Sequence, residues 1–358
     1  MAYAGPAREI DQDKMMEFMG KVVGDFGASL SSVLAFIGQK LGLYAALADS
    51  DGMTPAELAK ATNTTERYVR EWLVNQASGG YVHYDPSSGK YSMLPEQAVA
   101  LTEEDSPFFV GGGFYVVKAM MNAQPRIMEH FKSGGGMLWG EHDEDLFVGT
   151  EKFFRPGYSL HLINEWIPSL TGVEEKLKAG ANVADVGCGH GASTIIMAKA
   201  YPNSTFHGYD VHERSIETAR KRAEEAGVSD RVTFEVKRAR ELPNGHFDLI
   251  CFFDCLHDMA DPVGAMHAAK HALTPGGSCM IVEPMAGRTV EENFNIIGRT
   301  FSGASTLCCT SNSLAEDGRA LGAVASDDDL TKVAHEGGFS EFRRAAETPF
   351  NRIFEARG

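Results

Sequence analysis

Basic residues are scarce in this chain: 33 lysines and arginines stand against 49 aspartates and glutamates, a formal charge of -16 over 358 residues. That deficit argues against a default affinity for nucleic acid or for an anionic membrane, and its plain consequence is solubility. A CxxC pair is also missing. Cys188, Cys251, Cys255, Cys279, Cys308 and Cys309 are scattered, several of them in predicted strands, and read as reduced, buried residues of a cytosolic protein. No regular His/Cys spacing points to zinc, and the ligand-type cluster Glu141-His142-Asp143-Glu144-Asp145 reads as an acidic solvated loop, so no metal is expected. The opening MAYAGPAREIDQDK lacks the basic-then-apolar layout of a signal peptide. The apolar run around Leu30 to Leu41 is short and is flanked by Asp25 and Lys40. A cytoplasmic location with no membrane partner is the expectation.

The length suits two domains rather than one. Phe18, Val22, Phe26, Leu30, Val33, Leu34, Ile37 and Leu41 recur at helical spacing, which predicts long amphipathic helices whose broad apolar face needs a partner. Thr54-Pro55-Ala56-Glu57 is a capping box with proline at the first helical position, and a second helix, Glu66 to Ala77, starts after Asn63 or Thr64 and stops at Gly79-Gly80. Tyr81 to Tyr84, the turn Asp85 to Gly89 and Lys90 to Leu94 complete a hairpin. Helix, turn, helix and hairpin make a winged helix. Its recognition-helix position, Thr65 to Trp72, carries as many acids as bases, and the wing adds only Lys90, so nucleic acid is not the expected partner.

The most informative run is Val183-Ala184-Asp185-Val186-Gly187-Cys188-Gly189-His190-Gly191. Ala184 and Val186 read as a buried parallel strand, and glycines at 187, 189 and 191 let the chain turn tightly against a ligand at the start of a helix from Ser193 to Ala200. A second strand, Ser204 to Tyr209, ends at Asp210, about 20 residues beyond the turn, where an acid meets ribose hydroxyls in dinucleotide folds. Gly187-x-Gly189-x-x-Ala192 also satisfies the nicotinamide fingerprint. Three features favour a different ribose-bearing cofactor. Asp185 suits an ammonium and a sulfonium better than a pyrophosphate, Phe247 to Asp254 reads as a further buried strand reaching the same edge, and Ala272 to Gly277 followed by Cys279 to Pro284 gives a helix stop, a turn and another strand.

With DVGCGHG, the GYD ending at Asp210, FDLICFFDCLHDMADP and LTPGGSCMIVEP, the chain resembles the class I S-adenosylmethionine-dependent methyltransferases over about residues 173–358. The whole chain is similar to a bacterial, actinobacterial-type two-domain group with an N-terminal winged helix and the closing phrase ETPFNRIFEAR, whose members are described as methyltransferases or transcriptional regulators. The resemblance implies an α/β, Rossmann-like domain with a seven-stranded, mostly parallel sheet behind a mainly helical winged-helix domain. Three segments are expected: a dimerisation domain over 1–104, a helical connector and possible substrate lid over 105–172, and the cofactor-binding domain over 173–358. By the same resemblance the winged helix makes a homodimer, and its helices help close the partner's active site.

Expected S-adenosylmethionine contacts are Asp185, Gly187, Cys188, Gly189, Gly191, Asp210, Val211, Phe253 and Asp254. Ala239 and Arg240 are candidates in the loop where the family often places an acid near adenine and this chain has Lys237-Arg238-Ala239-Arg240. His190 is placed so that its ring could reach cofactor or substrate. Methyl transfer is an in-line displacement, so the protein mainly aligns the reactants and excludes water, and only a hydroxyl acceptor needs a proton removed. His257, just past the strand ending at Asp254, has the pKa range of a general base. It matches the base histidine of the family's LHD phrase, and Glu283 matches the glutamate that orients it, although in other class I members a histidine here is structural. Asp258 reads as the cap of the helix ahead of Pro262. Tyr158, His161 and Trp166 on the connector, and Asn293, Arg299 and Asn312 in the 285–325 insertion, are candidates to touch a small, hydroxylated substrate. The rival expectation is a transcriptional regulator whose methyltransferase-like domain senses a ligand.

Overall fold

The structure is a computed structural model and describes residues 10–358. Residues 1–9, which carry part of the signal-peptide reading, lie outside the described residues. The chain divides into two compact units, Met1–Lys118 and Ala119–Gly358, the division falling inside the helix Gly112–Ser133.

In the first unit a single 29-residue helix, Gln12–Lys40, replaces the several expected; the Asp11 carboxylate opens it by accepting from the Asp13 and Lys14 amides. Only Ser31, Ala35 and Gly38 of this helix are buried, and Phe18, Val23, Phe26 and Leu30 are each more than half exposed. By length and composition it is a helix able to cross a membrane. The expectation of a short apolar run therefore fails, because continuous helix extends the apolar stretch well ahead of Leu30. Pro55–Ala61 begins with the capping box foreseen at Thr54 and Glu57. Glu66–Ser78 begins at the expected residue, but its N-cap is Thr65 rather than Asn63 or Thr64, and Asn63 has a left-handed φ of 51°. Arg67 and Arg70 on that helix pair with Glu71 and Glu66. β1 (His83–Asp85) and β2 (Lys90–Ser92) form the wing, and Leu43, Tyr44, Leu47, Leu58, Trp72 and Leu73 form the core.

The second unit is built on seven strands: β3 (Asn182–Val186), β4 (Thr205–Asp210), β5 (Val232–Val236), β6 (Phe247–Phe253), β7 (Leu273–Pro284), β8 (Glu341–Glu347) and β9 (Asn351–Arg357), in the order β5-β4-β3-β6-β7-β9-β8. The first five in that order run parallel; β9 is antiparallel to both β7 and β8. β3 and β6 are covered on both faces, which is why they read as largely apolar runs, broken only by Asn182 and Asp185 in β3 and by Asp248 in β6. Strand order reverses between β3 and β6, and the carboxyl ends there open the crevice in which such folds bind ligands. The turn expected at Thr274–Gly277 is instead a bulge within β7, where the register with β6 jumps from Phe247↔Leu273 to Leu249↔Ser278.

Several helices were not foreseen, among them Glu213–Glu225 and the two that follow. Glu144–His161 begins where an acidic loop was expected, with Asp143 capping the Asp145 amide; Pro156 in its interior hid it. Asp327–Glu336 begins with a Ser326–Asp329 capping box, a signal present in the sequence but overlooked. A π turn, Leu162–Trp166, follows the helix Glu144–His161, and a second, Ser305–Cys309, interrupts the insertion.

Candidate active site

The glycine turn closes over the end of β3. Gly187 has φ 74°, and a Cβ there would meet the Cys255 sulfur at 2.7 Å, whereas Gly189, also left-handed, has nothing within 4 Å of its Cβ position. The first glycine is required by packing; the second leaves room for a ligand. Gly187 and Cys188 donate to the Tyr209 carbonyl, and the Gly189 amide donates to Asp210 Oδ2 at 2.9 Å, so the turn is fastened to the end of β4. Asp210 Oδ1 accepts from the His212 amide at 2.8 Å. Asp185 is fully buried. Its Oδ2 accepts from the hydroxyls of Ser193 and Thr194, both at 2.6 Å, while Oδ1 has no hydrogen-bond partner among the described residues. Burial pushes the Asp185 carboxyl up to about 6.

At the neighbouring rim β6 leads into a short turn, Leu256–Asp258, that carries His257. Imidazole Nδ1 lies 2.7 Å from Glu283 Oε2, and the His257 amide donates to Oε1 of the same carboxylate at 3.2 Å. Both side chains are almost completely buried. Burial opposes a charged imidazole, but the Glu283 carboxylate and the Cys309 thiol together outweigh it and hold His257 well above its ordinary value. Cys255 ties the two halves of the site together, its thiol donating to the Val186 carbonyl at 3.1 Å.

Asp254, at the end of β6, has a left-handed φ of 51° and accepts from the Tyr158 hydroxyl at 2.7 Å and from the Asn351 amide at 2.8 Å. Burial pushes its carboxyl up to about 8. Tyr158 also packs on Phe253, with ring centroids 5.3 Å apart. Sequence reasoning missed Asn351 and Cys309. Asn351 lies nearly 100 residues from its partner and nothing local marks it; the Cys309 thiol acts electrostatically on the His257 ring, and it had been read only as a buried cysteine.

Other candidates are not brought to this cluster. Trp166 is fully buried against Tyr158, and His161 stacks on Trp166 and pairs with Glu165 at 3.0 Å. The Asn293 amide closes its own loop through Gly287 and Thr289, and Arg299 is exposed on the helix Ile296–Ala304. Both amide atoms of Asn312 are engaged by backbone groups, so it is not free to take substrate. Asp258 is not the expected cap: Asp261 accepts from Gly264 and caps the helix Pro262–Ala272, while burial pushes the Asp258 carboxyl up to about 7. Val211 is exposed, Ala239 packs on the core beneath it, and Arg240 is exposed. The His190 ring is shielded, and burial lowers it to about 4. In the acidic cluster Glu141 pairs with Arg126, and Asp143 accepts from Asn122. No group of three or more potential ligands that could hold a metal occurs among the described residues.

The sheet order, the glycine turn and the acid ending β4 together define a class I methyltransferase fold, the class that uses S-adenosylmethionine. The comparisons with known proteins agree: residues 177–338 match the family described as "Methyltransferase domain", and residues 28–103 match the "Rv2258c-like winged HTH domain". The chain thus carries matches to both domains, one after the other. It is 39% identical over 103 residues to 27-O-demethylrifamycin SV methyltransferase of Amycolatopsis mediterranei, covering 28% of this chain and 38% of that protein. It is 31% identical over 163 residues to ubiquinone biosynthesis O-methyltransferase of Ralstonia nicotianae, covering 44% and 60%. The matches thus span less than two thirds of these curated relatives. Among solved structures, human N-acetylserotonin methyltransferase in complex with S-adenosylmethionine superposes with a TM-score of 0.72 at 15% identity, covering 99% of each chain. An O-methyltransferase family protein from Burkholderia thailandensis gives 0.70 at 18% identity, covering 98% of each. At such identities the likeness is one of fold.

Proposed function

We propose that this chain is an S-adenosylmethionine-dependent methyltransferase acting on the hydroxyl of a small metabolite, with His257 as general base and Glu283 orienting it. The observation that carries this reading is the buried 2.7 Å bond between His257 Nδ1 and Glu283 Oε2, set beside the glycine turn. The names of the relatives, an O-demethylrifamycin methyltransferase and ubiquinone O-methyltransferases, support oxygen as the acceptor. The residues present fit the cofactor. Asp185 Oδ1 is a buried acceptor without a partner, suited to an ammonium, Gly189 has open space above it, and the Asp210 carboxylate is fixed where ribose hydroxyls are met. Gly187, Cys188 and Gly191 shape the turn, and Val211, Phe253 and Asp254 stand at the strand ends around it.

When bound, S-adenosylmethionine supplies an electrophilic methyl on a sulfonium. Glu283 accepts from Nδ1–H of His257, which leaves Nε2 as the nitrogen that takes the acceptor's proton. Raising the basicity of that nitrogen brings it closer to a phenol-type hydroxyl, ordinarily near 10, and so favours the transfer. Tyr158 and Asn351 hold Asp254 at the rim. Calorimetric titration with S-adenosylmethionine and with its demethylated product, followed by labelled-methyl transfer to a panel of hydroxylated aromatics, tests the assignment. Binding of the first with label appearing on a hydroxyl is expected; failure of both compounds to bind would sink it.

The exposed face of Gln12–Lys40 supports a homodimer, since a second copy would cover Phe26 and Leu30, and a cytoplasmic protein without a membrane partner goes with that reading. Light scattering should give twice the chain mass, falling to the monomer for a Phe26→Asp, Leu30→Asp variant; a wild-type monomer would refute the dimer. Ion pairing of both arginines on the recognition-position helix speaks against the regulator reading.

A further inference from the structure

The four consecutive backbone carbonyls of the segment carrying His257 all accept hydrogen bonds from the insertion. His257 O accepts from Gly322 N at 3.0 Å, Asp258 O from Asn312 Nδ2 at 3.0 Å, Met259 O from Ser313 Oγ at 3.0 Å and Ala260 O from Arg319 N at 2.9 Å. On its other side the insertion meets the stretch before the helix Glu144–His161. Met137 N donates to both Ser311 O and Ser311 Oγ, and Trp139 N donates to Asn312 Oδ1 at 2.7 Å. Packing is tight on both sides: a Cβ on Gly136 would meet Ser311 O at 2.0 Å, and one on Gly318 would meet the Cα of Ala260 at 2.4 Å.

Asn312 is the one residue whose side chain reaches from one of these segments to the other among the bonds described above. Its amide is suited to that, since it offers a donor and an acceptor a fixed distance apart; a carboxylate would lack the donor and leucine both. We propose that Asn312 is a positioning residue for His257, tying the carbonyl beside the base to the Trp139 backbone so that the imidazole stays seated on Glu283. The proposal rests on the reading of His257 as the base, and it reassigns Asn312 from substrate contact to support. A misplacement of about 1 Å in a reacting group can cost on the order of 10²-fold in rate, so holding this turn at the correct height matters to catalysis. The charged or titratable groups facing His257 are Glu283 from β7, Cys309 from the insertion, and Asp254 and Asp258 on either side of it in the chain.

The test needs no substrate. The full chain is labelled with ¹⁵N-histidine, the His257 signals are assigned by their loss in His257→Gln, and tautomer and titration midpoint are followed by NMR. In the wild type a single Nδ1–H tautomer is expected, with a midpoint above that of free histidine. In Asn312→Ala the midpoint should fall by about one unit and the tautomer preference should weaken, because the ring can drift from Glu283. Asn312→Ser, smaller but still polar, should shift it in the same direction and serves if the alanine variant does not fold. Thr306→Ala, in the same insertion but bonded only to Ser302 O, should leave His257 unmoved. An unchanged midpoint and tautomer in the folded Asn312 variants, or an equal shift in Thr306→Ala, would overturn the proposal. Full methyl transfer by His257→Gln would instead refute the base reading, leaving the NMR answer on Asn312 intact.

Discussion

Substitution of His257 by alanine is expected to slow methyl transfer to a hydroxyl by about 10²- to 10⁴-fold, the usual worth of a positioned base, while S-adenosylmethionine affinity stays within a few-fold of the wild type. The two effects should separate because His257 faces Glu283 and Cys309, whereas the cofactor contacts proposed above centre on the glycine turn and the end of β4. Alanine leaves the Glu283 carboxylate buried without its partner, so a loss of stability of about 3–5 kcal/mol accompanies it. Glu283→Gln is the cleaner companion. In the wild type the base must be neutral to act, so kcat/KM should rise with pH through a midpoint above the ordinary histidine value. Loss of the Glu283 charge should move that midpoint down and reduce the rate, because the carboxylate is the largest of the influences that raise it. Turnover at the wild-type level in His257→Ala, measured with labelled cofactor, would show that the histidine is structural.

Asp185→Asn should weaken S-adenosylmethionine binding by about 100-fold, comparable to loss of a hydrogen-bonded charge at 1.5–3 kcal/mol. Its pH dependence gives a second check. Burial raises this carboxyl to about 6, so it is protonated below that pH and cannot pair with an ammonium. Affinity should therefore be full above about pH 7 and fall as pH drops through 6, by up to about tenfold per unit. The asparagine variant should be flat over the same range as far as this residue is concerned. Calorimetry in buffers of different ionisation heat should also show proton release on binding near pH 6, since pairing favours the ionised form. A wild-type affinity unchanged between pH 5 and pH 7.5 would remove Asp185 from the cofactor site.

Both predictions concern residues that were legible in the sequence, and the reason is local. Asp185, the glycines and Asp210 are fixed by strand ends and a tight turn, features that a few neighbouring residues dictate. His257 and Glu283 were legible in the same way, each following or ending a buried apolar strand, although their mutual approach was inferred from resemblance and not from spacing. Where local signals conflicted the reading failed. Pro156 concealed the helix Glu144–His161, and the acidic residues ahead of it looked like a loop when one of them was its cap. At Asp258 the reading chose the wrong one of two nearby acids as cap: Asp258 ends the separate turn Leu256–Asp258, whereas Asp261 directly precedes the helix.

By itself, then, the sequence determined the winged helix, the parallel strands, the glycine turn with its flanking acids, and the type of residue available as a base. These follow from backbone preferences and apolar periodicity, which act over a few residues. Only the tertiary structure decided which polar groups meet: Asp254 with Tyr158 and Asn351, and Asn312 with two backbones rather than a substrate. Such partners are chosen when distant segments are packed together and each buried donor or acceptor must find another, a constraint that exists only in the folded chain.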